Sequence, residues 1–207
     1  MLSLYLEGFT DYMQSGGFVM WPLFFTAMFL WFGLGFRFHT LKRGSQKSVR
    51  TLIRKFHENK RVKTEGIIDS AIVDAMKIID ENGCSTSTRK LIDDHFYGYL
   101  KQIKQYSRMV MTLVAIAPLI GLLGTVVGMI ETFDSLASAT LFSQSGGIAG
   151  GISQALFTTQ LGLVVAVPGL IIGRLLDRRG NTMEFELEQI KDILCTEELE
   201  KKAGHEV

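Results

Sequence analysis

Two long stretches of this sequence carry no charge, and they restrict the possible fold more than any other feature. No Asp, Glu, Lys, Arg or His occurs in residues 109–130 or 135–173, and residues 1–36 contain no Lys or Arg. A helix needs about 20 apolar residues to cross a hydrocarbon core about 30 Å thick. The sequence therefore predicts an all-α integral membrane protein with three transmembrane helices, at residues 18–36, 109–133 and 148–173.

The basic residues occupy the remaining segments, and their distribution predicts the topology. Sixteen of the 22 Lys and Arg residues lie in residues 37–108, and the other six lie in residues 174–207. Short loops rich in Lys and Arg stay on the cytoplasmic side of a membrane. We therefore expect a cytoplasmic helical region at 37–108 and a cytoplasmic C-terminal helix at 174–207. The N-terminal segment 1–17 and the loop 134–147 then lie on the periplasmic side.

The N-terminal segment 1–17 lacks the basic n-region of a signal peptide, so we expect it to be retained in the mature protein. Its leucine, methionine and aromatic residues predict a short amphipathic helix. Such a helix lies in the plane of the interface rather than across the bilayer. We expect this one on the outer membrane surface.

Apolar periodicity predicts that the cytoplasmic part is helical and continuous with two of the spans. Residues 45–58 and 64–81 each place their apolar side chains on one stripe, and Asn82-Gly83 is a helix-ending signal. From Ser87 the helical stripe runs into the second span with no helix breaker other than Gly98, which predicts one long helix. Residues 174–200 are charged and compatible with helix, so the third span is also predicted to extend far into the cytoplasm.

Composition excludes several classes of function. The formal net charge of +1 gives no electrostatic support for nucleic-acid binding. Cys84 and Cys195 lack the spacing of a metal site, so free thiols are expected, with no metal and no cofactor. No clustered nucleophile, acid pair or ligand set indicates an enzyme.

Small residues recur at spacings of three and four within the second and third spans. Faces of this kind allow helix backbones to approach closely in a membrane, where lipid offers no hydrophobic driving force. We expect these residues to mediate helix packing in an oligomeric bundle. They are Gly121, Gly124 and Gly128 in the second span, and Gly151, Ala155, Gly162 and Ala166 in the third.

Polar residues within the same charge-free helices favour a wet or partner-filled interior over an inert bundle. An unpaired amide or hydroxyl is costly in a membrane and tends to face a partner or water. The candidates for a pore lining are Thr125, Gln154, Thr158 and Thr159. Thr158 has the alternative of bonding to its own helix. Pro118 and Pro168 are predicted to kink the two helices.

Basic residues also flank the cytoplasmic ends of the first and third spans. Juxtamembrane clusters of this kind are attracted to anionic lipids. We expect them to anchor the inner leaflet, and a specific partner contact is the alternative. The set comprises Arg37, Lys42, Arg43, Arg174, Arg178 and Arg179.

The motifs in the two glycine-rich spans resemble those of the MotA/TolQ/ExbB family of proton channels. The runs APLIGLLGTV (117–126) and GMIETF (128–133) look like the family's second-span motif. GISQAL (151–156) resembles its third-span motif, and it is followed by further matching residues at 158–159, 162–163 and 166–168. With three spans and an intervening cytoplasmic segment, the chain is most similar to the ExbB/TolQ branch.

This resemblance implies a homopentamer whose second and third spans line a central pore. The pore would hold the single transmembrane helices of an ExbD-type partner, whose membrane aspartate carries protons, with Thr125 and Thr159 as the pore threonines. Proton flow would energise a TonB-like protein for outer-membrane import of nutrients such as iron–siderophore complexes or heme. The expected location is the bacterial inner (cytoplasmic) membrane, with a periplasmic N-terminus and a cytoplasmic C-terminus.

One departure from the family pattern and several alternatives remain. Many ExbB sequences have a glutamate where this chain has Gln154, and glutamine cannot titrate, so a direct proton relay at this position is doubtful. A TolQ-like unit for envelope maintenance and a non-conducting membrane scaffold are alternative functions. A flagellar-type stator is disfavoured because that branch typically has four spans. A self-sufficient channel would need a titratable residue within the membrane.

Overall fold

A computed structural model describes residues 8, 10, 12–44, 48–57, 66–83, 86–138 and 145–203. The predicted all-α fold is confirmed, because the regular secondary structure of the described residues is entirely helical. Residues 12–15 are helical; much of the predicted amphipathic segment, residues 139–144 and Cys84 lie outside the described residues. The longer helices are α1 (Met20–Thr40), α2 (Val49–His57), α3 (Ile67–Asn82), α4 (Thr86–Lys104), α5 (Ser107–Ser138) and α6 (Ser145–Ala203).

Among the described residues, three helical stretches are long and apolar enough to cross a membrane. They lie within Met20–Thr40, Ser87–Ala137 and Ile148–Leu194, in agreement with the predicted number of spans. The chain divides into two compact units: an apolar unit of residues 1–35 and 108–173, and a charged unit of residues 36–107 and 174–207.

In the apolar unit, α1 packs through a few apolar side chains and leaves an aromatic face open. Leu30 is fully buried and its side chain contacts the position of Gly169 on α6, while Gly33 faces the Val110 side chain on α5. The open face of α1 is aromatic; Phe25, Phe29, Trp31 and Phe32 are each about half exposed or more. A large exposed apolar face of this kind is typical of a surface that contacts lipid or another protein rather than water.

The charged unit has its own apolar core. Helix α3 buries the stripe Ile68, Ala71, Ile72 and Ala75, as its periodicity predicted. It ends at Gly83, where φ is +65° and the backbone N–H donates to the Ile79 carbonyl at 2.8 Å. Glycine adopts this conformation without a Cβ penalty. The predicted helix end at Asn82-Gly83 is therefore confirmed.

Ion pairs fix the register of α4 against the C-terminal part of α6. Lys104 pairs with Glu184 at 2.6 Å, and Lys191 pairs with Asp93 at 2.7 Å. Residue numbers rise along α4 as they fall along α6 in these pairs, so the two helices are antiparallel. Pairs this exposed contribute little individually, about 0–1 kcal/mol each. The apolar side chains between them, including those of Ile92, Phe96, Leu187 and Ile190, are buried and supply the main packing.

The single long helix predicted from Ser87 through the second span is interrupted. Helix α4 ends at Lys104 and α5 begins at Ser107, with Tyr106 at φ +60° between them. The Tyr106 ring packs edge-on against Phe36 with centroids 4.9 Å apart. No Gly or Pro marks this break, so it depends on tertiary contact. By contrast, α6 is continuous over 59 residues, as predicted, despite Gly180-Asn181 and Pro168.

A buried ion pair links the end of α1 to the middle of α6, next to the start of α5. The Arg37 guanidinium on α1 is 3% exposed and donates to Asp177 on α6 at 2.8 Å. The Ser107 hydroxyl, at the start of α5, donates to the same Asp177 oxygen at 2.6 Å. A buried cation without a partner is strongly unfavourable, so Asp177 determines whether Arg37 can remain buried.

We expect Asp177→Asn to destabilise the protein by about 3–5 kcal/mol, because it leaves the buried Arg37 charge without a counter-ion. Asp192→Asn is the matched control: it is the same change on the same helix, in an exposed pair with Arg89 at 3.0 Å, and it should cost about 1 kcal/mol or less. Thermal unfolding of both variants in detergent measures the difference. Equal losses of stability would show that the buried pair has no special role.

Candidate functional site

Helices α5 and α6 run antiparallel in the apolar unit, and glycines bring their backbones into contact. A Cβ built on Gly121 would lie 3.1 Å from the Thr158 carbonyl oxygen and 3.3 Å from Thr159 Cα. A Cβ on Gly162 would lie 3.0 Å from the Ala117 carbonyl oxygen. Farther along, Gly128 faces the Gly151 carbonyl oxygen at 2.6 Å. The structure places all seven predicted packing residues on the buried side of these helices.

Two threonine side chains fill spaces that glycines leave on the opposite helix. Thr158 on α6 is fully buried and occupies the space above Gly124 on α5. In the reverse arrangement, Thr132 on α5 is 7% exposed and occupies the space above Gly151 on α6. These reciprocal contacts lie about two helical turns apart on α5. They fix the register of the two helices.

The hydroxyls of both threonines are satisfied within the protein. Thr158 donates to the Ala155 and Gln154 carbonyls, at 3.0 and 3.1 Å. Thr132 donates to the Gly128 carbonyl at 2.8 Å. This is the self-bonding alternative considered for Thr158. Because its side chain is buried within one chain, Thr158 differs from the other three predicted lining residues, which are partly exposed.

Thr125 and Thr159 directly follow Gly124 and Thr158 in sequence, so they flank that contact on the two helices. Both side chains are half-buried. Thr125 donates to the Leu122 carbonyl at 2.6 Å, and Thr159 donates to the Ala155 carbonyl at 3.1 Å and across to Gly121 at 3.3 Å. Hydroxyl groups keep two acceptor lone pairs when they donate. Each threonine can therefore still accept a hydrogen bond from a ligand or water.

Gln154 takes part in a polar contact at the other end of the helix pair. Its amide donates to the Glu131 carboxylate on α5 at 3.1 Å, and its side chain lies against the backbone of Gly17. Gly17 has φ +64°, a conformation that suits glycine. The sequence predicts a lining role for Gln154 but not this pairing, because the two residues are 23 positions apart. Glu131 can be found in the sequence as the first carboxylate after the charge-free run 109–130.

The remaining surface of α5 and α6 is aliphatic. It includes Leu119, Leu122 and Val126 on α5 and Leu156, Val164 and Val167 on α6, all more than half exposed. Neighbouring chains or lipid must cover this surface in a membrane protein. Pro118 and Pro168 are half-buried within their helices.

The six predicted anchoring residues divide into two groups. Arg37 is buried on Asp177, and Arg43 donates to both carboxylate oxygens of Glu186, at 2.7 and 3.0 Å. Their charges are thus directed into the protein, and Arg37 has no surface to offer a lipid head group. The side chains of Lys42, Arg174, Arg178 and Arg179 are exposed. Anchoring remains a prediction for these four.

Comparison with known proteins agrees with the sequence motifs. A model of the MotA/TolQ/ExbB proton channel family matches residues 63–189, which include α5 and most of α6. The chain is similar to putative biopolymer transport protein ExbB-like 3 of Synechocystis sp., with 34% identity over 92 residues, 44% of each chain.

Two further relatives support the same branch. Biopolymer transport protein exbB1 of Vibrio cholerae is 37% identical over 81 residues, which cover 39% of this chain and 36% of that protein. Putative biopolymer transport protein ExbB-like 2 of Helicobacter pylori is 40% identical over 94 residues, 44% of this chain and 62% of the relative. The aligned region thus spans less than two thirds of the length of each of these relatives.

We expect Gly124→Ala to destabilise the α5–α6 contact by about 1–3 kcal/mol, because the added methyl group would overlap Thr158. Gly150→Ala is the control, since no atom lies within 4 Å of the Cβ position there. Thermal unfolding in detergent measures both. The double variant Gly124→Ala/Thr158→Ala should recover part of the loss. A single variant as stable as the control would contradict the assigned packing.

Proposed function

This chain belongs to the MotA/TolQ/ExbB proton channel family, in its ExbB/TolQ branch, and we propose that it is the multi-span subunit of a proton-driven motor. In this proposal the chain assembles, as a pentamer, around an ExbD-type partner in the inner membrane. Proton flow through the complex energises a TonB-like protein. That protein in turn drives outer-membrane import of a nutrient such as an iron–siderophore complex or heme.

One observation carries the proposal: the paired helices are polar in their middle but contain no group that can titrate there. Residues 109–130 and 135–173 contain no charged residue and no His, and Glu131 lies at the end of its run. Proton pathways through a membrane need a titratable group. A proton channel built on these helices therefore requires a carboxylate from another chain, and a single-span partner with a membrane aspartate would supply it.

We assign Thr125 and Thr159 to the site that surrounds the partner's membrane carboxylate. Both are partly exposed and lie within the charge-free runs, and each hydroxyl has acceptor capacity left. A hydroxyl can accept from a protonated carboxyl group, or it can turn and donate to the ionised form. The same two side chains can therefore solvate the carboxylate before and after proton release.

The aliphatic surface of α5 and α6 supports the oligomeric part of the proposal. Close packing of Gly121, Gly128 and Gly162 uses the small-residue faces within one chain. The exposed Leu and Val side chains are then available to neighbouring chains. The aromatic face of α1, with Phe29 and Phe32, offers a chemically different surface that we assign to lipid.

We expect Thr125→Val and Thr159→Val to lower proton flux about 10- to 100-fold, because each removes a hydrogen bond to an ionisable group worth about 1.5–3 kcal/mol. Thr112→Val is the matched control: this exposed threonine on α5 bonds to the Arg108 carbonyl at 2.8 Å, and its loss should leave flux unchanged. Flux is measured with a pH-sensitive dye in vesicles containing the chain and its partner. Normal flux in both variants would remove these residues from the pathway.

The partner requirement is tested by purification. We expect the chain to co-purify with the product of a neighbouring gene that encodes a single-span protein with one membrane aspartate. Vesicles with both proteins should conduct protons, whereas vesicles with this chain alone should not, because it lacks the titratable group. Conduction by the chain alone would contradict the proposal. A complex that binds its partner but never conducts would assign the chain a scaffold role.

A further inference from the structure

An open cavity of about 700 Å³ in the charged unit is lined by cations and apolar side chains together. This volume lies within the range of roughly 300–1,000 Å³ typical of small-molecule sites. The lining residues used below are Phe38, Leu41, Lys42, Arg178, Arg179 and Met183. We name it the basic cavity, and we propose that it binds the phosphate head group of an anionic phospholipid. This inference does not depend on the proposed partner or on proton flow.

The charge of the lining selects an anion. Among the residues that the structure describes, no carboxylate lines the basic cavity, and Lys42, Arg178 and Arg179 have no ion pair. Arg43 also lines the cavity, but Glu186 neutralises it at 2.7 Å. Three uncompensated cations around one opening create a positive potential. A phosphate diester is a ligand that such an arrangement can bind.

The apolar share of the lining distinguishes a lipid from a free anion. Phe38 is 62% exposed, whereas Leu41 and Met183 are buried, with only 7% and 2% of their surfaces exposed. Inorganic phosphate gains nothing from an exposed aromatic ring. A phospholipid places its glycerol backbone and the first methylene groups next to its phosphate, and these can cover Phe38.

Sequence position places these residues at head-group depth. Phe38 follows the end of the first predicted span by two residues, and Arg178 follows the end of the third by five. At 1.5 Å per helical residue these separations correspond to about 3 and about 8 Å. The head-group layer on each side of the hydrocarbon core is about 5–8 Å thick. An acidic protein segment would not require this depth, so we assign the basic cavity to lipid.

The test uses native mass spectrometry of the full chain, titrated with phosphatidylglycerol, phosphatidylcholine or inorganic phosphate. We expect retention of phosphatidylglycerol. Each basic residue near an anionic lipid contributes about fivefold to binding, so Lys42→Gln/Arg178→Gln/Arg179→Gln should weaken retention about a hundredfold. Phe38→Ala should weaken phosphatidylglycerol binding and leave phosphate binding unchanged.

A triple variant elsewhere in the charged unit controls for net charge. Arg54→Gln/Lys77→Gln/Lys101→Gln removes three exposed cations that do not line the basic cavity, and it should retain the lipid as the unchanged chain does. Equal loss in both triple variants would show diffuse attraction and overturn the site. If the chain retained inorganic phosphate as well as it retains phosphatidylglycerol, the cavity would be a site for a free anion. Lipid retention that survives the cavity variant, with partner recruitment lost, would assign it to an acidic protein segment. Either result overturns the proposal.

Discussion

The backbones of α5 and α6 are in contact because glycines, which have no side chain, lie between them. At Gly121, Gly128 and Gly162 a single added carbon would meet the carbonyl oxygen of the facing helix. Lipid provides no hydrophobic force to hold two helices together, so this contact rests on van der Waals packing at short range. Any larger residue at these positions would separate the helices.

This close approach determines what the other side chains do. Thr158 and Thr132 are buried in glycine spaces, and their hydroxyls return to their own helices. Their neighbours in sequence point elsewhere: Thr159 is partly exposed, and the aliphatic residues face outward. One packed face thus leaves a polar strip and an apolar surface available to other chains. The proposed pore and its partner site both use the polar strip and the apolar surface that the α5–α6 packing leaves exposed.

The charged unit is organised by electrostatics on top of an apolar core. Most of its ion pairs are exposed and fix the register of α4 and α6 without much stabilisation. The Arg37–Asp177 pair is different because the Arg37 side chain is almost completely buried. Arg178 and Arg179 have no such partner among the described residues, and they line the basic cavity instead. Neighbouring basic residues in one sequence cluster therefore serve different purposes.

The sequence by itself determined the number of spans, the helix end at Gly83, the continuity of α6 and the family. These follow from local rules: charge is excluded from the bilayer, apolar residues repeat every 3.6 positions, and glycine ends helices. Only the tertiary structure decided the break at Tyr106, the burial of Arg37, and which of the adjacent residues Thr158 and Thr159 is enclosed. It also paired Gln154 with Glu131. Each of these depends on atoms brought together from distant positions, and a helical repeat indicates which residues share a face but not what that face meets.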